Sequence, residues 1–328
     1  MYPRPDLARS GTFEPEDGLG GRGAGEVKSS AATFSGAKRW GLFASWILLF
    51  SLLFAHPLGL LARMSFSQDE RSYLLFIPFI SSWVFFHERH KILSDLSYDK
   101  ILGRTLLLLA VCLAVVSRLA AKALSPDLQL SGYILALVLF WISGFALIFG
   151  KTACKTARFS LLFLFLSVPL PQFLLDHVIY FLQVGSAWIT GALFNLSGVH
   201  ALHDGLIFHL ATVDIEIAKE CSGIRSSLAV LIVTLLAVHF FLRSFWKKIV
   251  FLAGGVFMMI FKNGIRICSL TLLSIYVDPG FLNGRLHHQG GIVFFIAGLL
   301  LLVPLLRLLQ YSEHLVETRD AARVCHLR

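Results

Sequence analysis

The stretch Lys219-Glu220-Cys221-Ser222-Gly223-Ile224-Arg225-Ser226-Ser227 sets a thiol, a glycine and an arginine at the mouth of a long apolar run, Leu228 to Leu242. A thiol attacks carbonyls as the thiolate, and a helix N-terminus lowers its pKa. Cys221 is therefore read as a nucleophile held at a membrane surface. Two other residues would complete an acyl-transfer chemistry. Arg266 lies deep in the apolar run from about Ile249 to Ser274, where an ionised group is expensive and by default marks function. His287 opens the run from about His287 to Leu308. An imidazole there would exchange protons with the thiol and the leaving amine, and a guanidinium would stabilise the developing oxyanion.

Alternatives stand beside each assignment. Arg225, on the same helical face as Cys221, competes with Arg266 for the anion-stabilising role. His288 competes with His287 as the proton carrier. Asn263 either orients Arg266 or hydrogen-bonds a neighbouring helix. Gly223 would let a substrate backbone come close, and Glu220 adjoins the thiol. Each residue also has a plainer reading: a packed cysteine at a helix end, an arginine snorkelling to head groups, and histidines at an interface. The five cysteines, at 112, 154, 221, 268 and 325, form no CxxC pair and no metal spacing, so neither metal nor cofactor is expected. No GxSxG elbow, HExxH pair or phosphate-binding loop offers a rival chemistry.

The elements that must position these residues are membrane helices. Hydrophobic residues make up 56% of the 328, only 15% are charged, and mean hydropathy is +0.73. The charges cluster between apolar runs of about 20 residues, the length that spans a bilayer core as helix. The fold class expected is all-α and polytopic, with about eight transmembrane helices, an interfacial helix and a short extracytoplasmic β-hairpin. The net charge of +9 reflects Lys and Arg in cytoplasmic loops rather than a nucleic-acid surface.

In chain order, residues 1–37 read as a disordered cytoplasmic tail, 38–310 as the transmembrane domain and 311–328 as a short cytoplasmic C-terminal tail. Spans are expected at about 40–61, 73–86, 101–121, 133–149, 159–168, 221–242, 249–274 and 287–308. Basic residues after Phe86, around Lys151 and at Arg243 to Lys248 assign those loops to the inside. Charge parity then leaves Phe173 to Leu196 along the outer interface or re-entering. The alternation of Val213, Ile215 and Ile217 with Thr212, Asp214 and Glu216 suits a half-buried strand, with Gly205 to Leu210 as its hairpin partner. On this topology Cys221, Arg266 and His287 all fall at the outer end of their spans.

At these residues the chain resembles the exosortase/archaeosortase family of membrane-embedded cysteine transpeptidases. The likeness rests on Glu220-Cys221-Ser222-Gly223-Ile224, on Asn263-Gly264-Ile265-Arg266, and on His287 through Gly291 to Phe295. Softer matches are Tyr73 with Pro78-Phe79-Ile80-Ser81, Pro169-Leu170-Pro171, Leu182-Gln183 and Gly198-Val199, so that it covers about residues 70 to 300 in family order. The resemblance implies a protein-sorting peptidase of the bacterial exosortase branch, with Cys221, Arg266 and His287 matching the family's catalytic residues. Its partners would be exported proteins with a PEP-CTERM-like C-terminal signal: a short motif, a transmembrane helix and a basic cluster. Cleavage would fall at the outer face of the inner membrane, the new carboxyl end passing to an acceptor at the cell surface. The alternative is a non-enzymatic transporter or polysaccharide-export scaffold, in which Arg225 and Arg266 bind an anionic substrate.

Overall fold

A computed structural model describes residues 23–93, 100–211, 213–282 and 291–326, apart from the side chains of 23–37, 69, 93, 220, 221, 282 and 316–326. The chain is a polytopic all-α membrane protein carrying one small sheet. Helix α1 (Gly23–Leu53) begins within the stretch expected as a tail. Its apolar part is bent by 77° against α2 (Ala55–Ser67), so the first expected span is two helices. Pro57 explains the break: it has no N–H for the carbonyl of Leu53, and its ring crowds that oxygen. After a tight turn (Asp69–Leu75) comes α3 (Ile77–Leu93), a 17-residue helix at the position of the second expected span.

The next two helices form the antiparallel centre of the N-terminal half. Helix α4 spans Ile101–Leu119 and α5 spans Pro126–Thr156. A proline opens α5, Ser125 caps it by accepting from the Leu128 N–H, and Asp127 complements its positive end. Gly103 packs on Leu147 and Gly132 on Ser117, which sets the two helices side by side in opposite directions. Trp40, Phe43, Phe85, Phe145 and Phe149 interlock between α1, α3 and α5 with ring centroids 4.8–6.4 Å apart.

The segment after α5 is shorter than a full helical span. Helix α6 (Arg158–Phe163) and the turn Leu164–Ser167 make an apolar segment that a proline pair then stops. At about 1.5–2 Å per residue it falls well short of the roughly 30 Å hydrocarbon core. Conversely, α7 (Gln172–Leu196) is 25 residues long and apolar enough to cross. It packs along part of another long helix, α9 (Phe245–Tyr276). Gly185 meets Ile260, Ser186 meets Asn263 and Thr190 meets Gly264, so the two helices are parallel. The segment at 158–167 nonetheless returns the chain toward the start of α5, where the Pro169 carbonyl accepts from Ser131 at 2.7 Å and Arg71 reaches both Asp127 and Gln172.

Among the described residues six helices are long and apolar enough to cross a membrane, or seven with the bent α1–α2 pair, against the eight expected. The remaining two are α8 (Ile224–Phe241) and α10 (Gly291–His326), the latter continuing through the expected C-terminal tail. Both run antiparallel to α9: Ser226 faces Lys262 and Thr234 faces Gly255, while Gly298 faces Lys262 and Leu305 faces Gly254. Between α7 and α8 stands an antiparallel sheet of β1 (Leu202–Asp204), β2 (Ile207–His209) and β3 (Asp214–Glu216) in the order β1-β2-β3. The expected hairpin is its β2–β3 pair, with Phe208 opposite Ile215. Phe208 packs edge-on against Phe194 of α7, both about 1% exposed, which seats the sheet on the bundle.

Candidate functional site

The chain reaches Cys221 along a guided path. Ile217, just past β3, is 1% exposed, and its carbonyl accepts a 2.6 Å bond from Gln183 Nε2 of α7. Lys219 then pairs with Asp176 of α7 at 2.9 Å. A tight turn, Lys219–Ser222, carries the backbone of Glu220 and Cys221, and Gly223 leads into α8. Gly223 has φ +66° and ψ 22°, a left-handed conformation that side chains resist. A Cβ there would also stand 2.5 Å from Oδ1 of Asn263. Backbone shape and close approach both demand glycine at this position. Thus Cys221 lies in a turn just ahead of a helix N-terminus, as the sequence suggested.

Helix α9 supplies the polar wall facing that turn. Asn263, 1% exposed, donates from Nδ2 to Ser186 Oγ of α7 at 3.0 Å. Of its two expected roles, the bond to a neighbouring helix is the one present. Lys262, 3% exposed, donates from Nζ to Ser226 Oγ at 2.7 Å, and Ser226 donates onward to the Gly223 carbonyl at 3.0 Å. Ser222 is fully buried, and its hydroxyl finds no partner among the described residues.

Arg266 is half-buried and follows Lys262 by one turn, on the same stripe of α9. Carrying the antiparallel register of Ser226 with Lys262 one turn further sets Arg266 level with Ser222, next to Cys221. The register of Gly298 with Lys262 likewise brings the first turn of α10 to the height of Arg266. Arg225, by contrast, is exposed. His287 and His288 lie outside the described residues. So the structure brings together Gly223, Asn263, Arg266 and the Cys221 turn. Of the other cysteines, Cys154 and Cys268 are buried and Cys112 is exposed.

Sequence reasoning missed Lys262 and Ser186, and it gave no role to Ser226 of the opening stretch or to Gln183, a softer match of the resemblance. Lys262 carried a usable signal, since a lysine inside an apolar helix is rare and faces the bundle interior by default. The others are small or neutral polar residues whose roles appear only when helices are paired. Among the described residues no three His, Cys, Asp or Glu side chains converge on a metal-sized site.

Bundle and turn together define a membrane-embedded helical protein whose cysteine sits where α7, α8 and α9 meet. Residues 62–304 match the model of the transmembrane exosortase family, and with well over half its length covered the chain belongs to that family. The family is one of cysteine transpeptidases. No curated protein and no solved structure matches the chain.

Proposed function

We propose that the protein is a sorting peptidase that cleaves the C-terminal signals of exported proteins, with Cys221, Arg266 and His287 as its catalytic residues. What supports this reading is the bond from Lys262 to Ser226, a register that, carried one turn on, sets Arg266 level with Ser222 beside the Cys221 turn. In this reading His287 accepts the thiol proton and the Cys221 thiolate attacks the scissile carbonyl carbon. The carbonyl electrons move to oxygen, where the Arg266 guanidinium meets the developing charge. Collapse expels the amine, which takes the proton from His287 and leaves a thioester on Cys221. An acceptor nucleophile, or water, then takes the acyl group and returns the thiol.

The remaining groups hold this centre in place. Gly223 and Asn263 lock α8 against α9, and Gln183 fixes the strand end that leads into the turn. The substrate is an exported protein whose terminal helix lies in the membrane beside the bundle, its short motif presented at the outer face. The basic cluster that follows that helix would remain on the inner side.

The test is processing in cells that express a tagged exported protein with such a tail. Cys221→Ala should leave the precursor uncleaved while the protein still inserts at normal abundance, and Arg266→Gln should do the same. Normal processing in Cys221→Ala would overturn the reading. Intact processing in that variant but not in Arg266→Gln would point to the anion-binding scaffold instead.

A further inference from the structure

At the end of the bundle away from the Cys221 turn, α8 passes into α9 beside the C-terminal parts of α3 and α10. A cavity of about 850 Å³ opens there. Its walls carry Lys91 from α3, Arg243 from the α8–α9 corner and Arg307 from α10, together with His239 and His314. Glu313 is the carboxylate on this wall, and it is engaged elsewhere: it accepts from the backbone N–H of Ser244 at 2.9 Å and of Arg243 at 3.2 Å. It thereby caps the start of α9, where negative charge is favoured. His239 is turned toward Glu88 at 3.1 Å and stacks on Phe159 with ring centroids 3.8 Å apart.

The cavity therefore combines three cationic side chains from three elements with an apolar side formed by Phe240, Phe241 and Leu242. Arg307 is the seventeenth residue of α10, about 24 Å along it at 1.5 Å per residue, so in a helix crossing from Gly291 it lies toward the far side of the roughly 30 Å hydrocarbon core, from which its long side chain reaches the head groups. Cations at that depth beside exposed aromatic and aliphatic surface match a phosphate with acyl chains attached, better than a freely dissolved anion. Phe241 and Leu308, 54% and 66% exposed, are where such chains would run.

We propose that this cavity binds the phosphate head group of an anionic phospholipid, in the leaflet opposite the Cys221 turn. Arg243, Arg307 and Lys91 contact the phosphate, and Tyr311 and Gln310 offer neutral hydrogen bonds at its rim. A lipid seated there would add to the links that Glu88 with His239 and Glu313 with Arg243 and Ser244 already make between α3, α8 and α10.

Full-length protein in detergent, exposed to equal phosphatidylglycerol and phosphatidylcholine, should retain phosphatidylglycerol in native mass spectra. Each of Arg243→Gln, Arg307→Gln and Lys91→Gln should weaken that retention about fivefold. Arg104→Gln, on α4 and away from the cavity, should leave it unchanged and controls for net charge. Equal retention of the two lipids, or an equal loss in Arg104→Gln, would overturn the site. Displacement of the lipid by millimolar inorganic phosphate would overturn the lipid assignment in favour of a dissolved anion, whereas resistance to phosphate supports it.

Discussion

Two buried cations sit in opposite surroundings. Arg71, in the turn between α2 and α3, is 3% exposed and reaches Asp127 at 3.3 Å and Gln172 at 3.0 Å. It joins the N-terminal ends of α5 and α7 and is answered by a carboxylate. Lys262 is equally buried, yet its ammonium meets a serine hydroxyl and has Arg266 a turn away. Among the described residues no carboxylate lies against it. Removing an ion from water is compensated by a counter-charge at Arg71 and by a single hydroxyl at Lys262. The first arrangement is what a fold uses to fix helices in place. The second leaves positive potential beside the Cys221 turn, where an acyl-transfer transition state would place negative charge. The difference separates a structural node from a functional one.

The contrast fails most visibly if Arg71 is dispensable. Arg71→Met strands Asp127 and Gln172, and the expected loss is about 3 kcal/mol, lower in its range because Asp127 is partly exposed. Thermal unfolding in detergent measures it, and Arg71→Met combined with Asp127→Leu should recover most of the loss. Precursor processing per folded molecule should stay unchanged in both.

Gly223→Ala comes next. A positive φ and the collision with Asn263 together should lower stability by about 1–2 kcal/mol and reduce processing further than stability explains. Adding Asn263→Ala removes the collision and should restore part of the activity. No response to that second change would show that the Gly223–Asn263 contact does not hold the turn.

Lys262→Met is expected to have the smallest effect on the fold. Replacing this buried ammonium, which no described carboxylate meets, by an apolar chain of similar length should change stability by less than about 1 kcal/mol, in either direction. Processing should nevertheless fall, with kcat affected more than KM. A stability loss as large as that of Arg71→Met would erase the distinction between the two nodes.

Much of the site was legible because it is written locally. The Cys221 turn is marked by the switch from the two-residue period of 212–217 to the apolar run of α8, and Arg266 by its charge within α9. The sheet followed from the same alternation. What escaped depends on pairing between distant segments. Nothing in the neighbourhood of Arg71 announces that Asp127 and Gln172 will converge on it, and Ser186 looks like any small residue until Asn263 docks there. The number of spans is harder to read, because charge parity counts crossings but does not measure them: the segment at 158–167 is shorter than a full helical span, while α7 is long enough for one.

The sheet on the end of the bundle has a practical side. The β1–β2 corner at Asp204 and Gly205 stands in solvent, and a Cβ on Gly205 would meet nothing within 4 Å. The bond from Gln183 to Ile217 lies between that corner and the Cys221 turn, so length added at Gly205 stops short of Cys221. An epitope or a fluorophore threaded into this loop should leave the Cys221 turn below it unmoved.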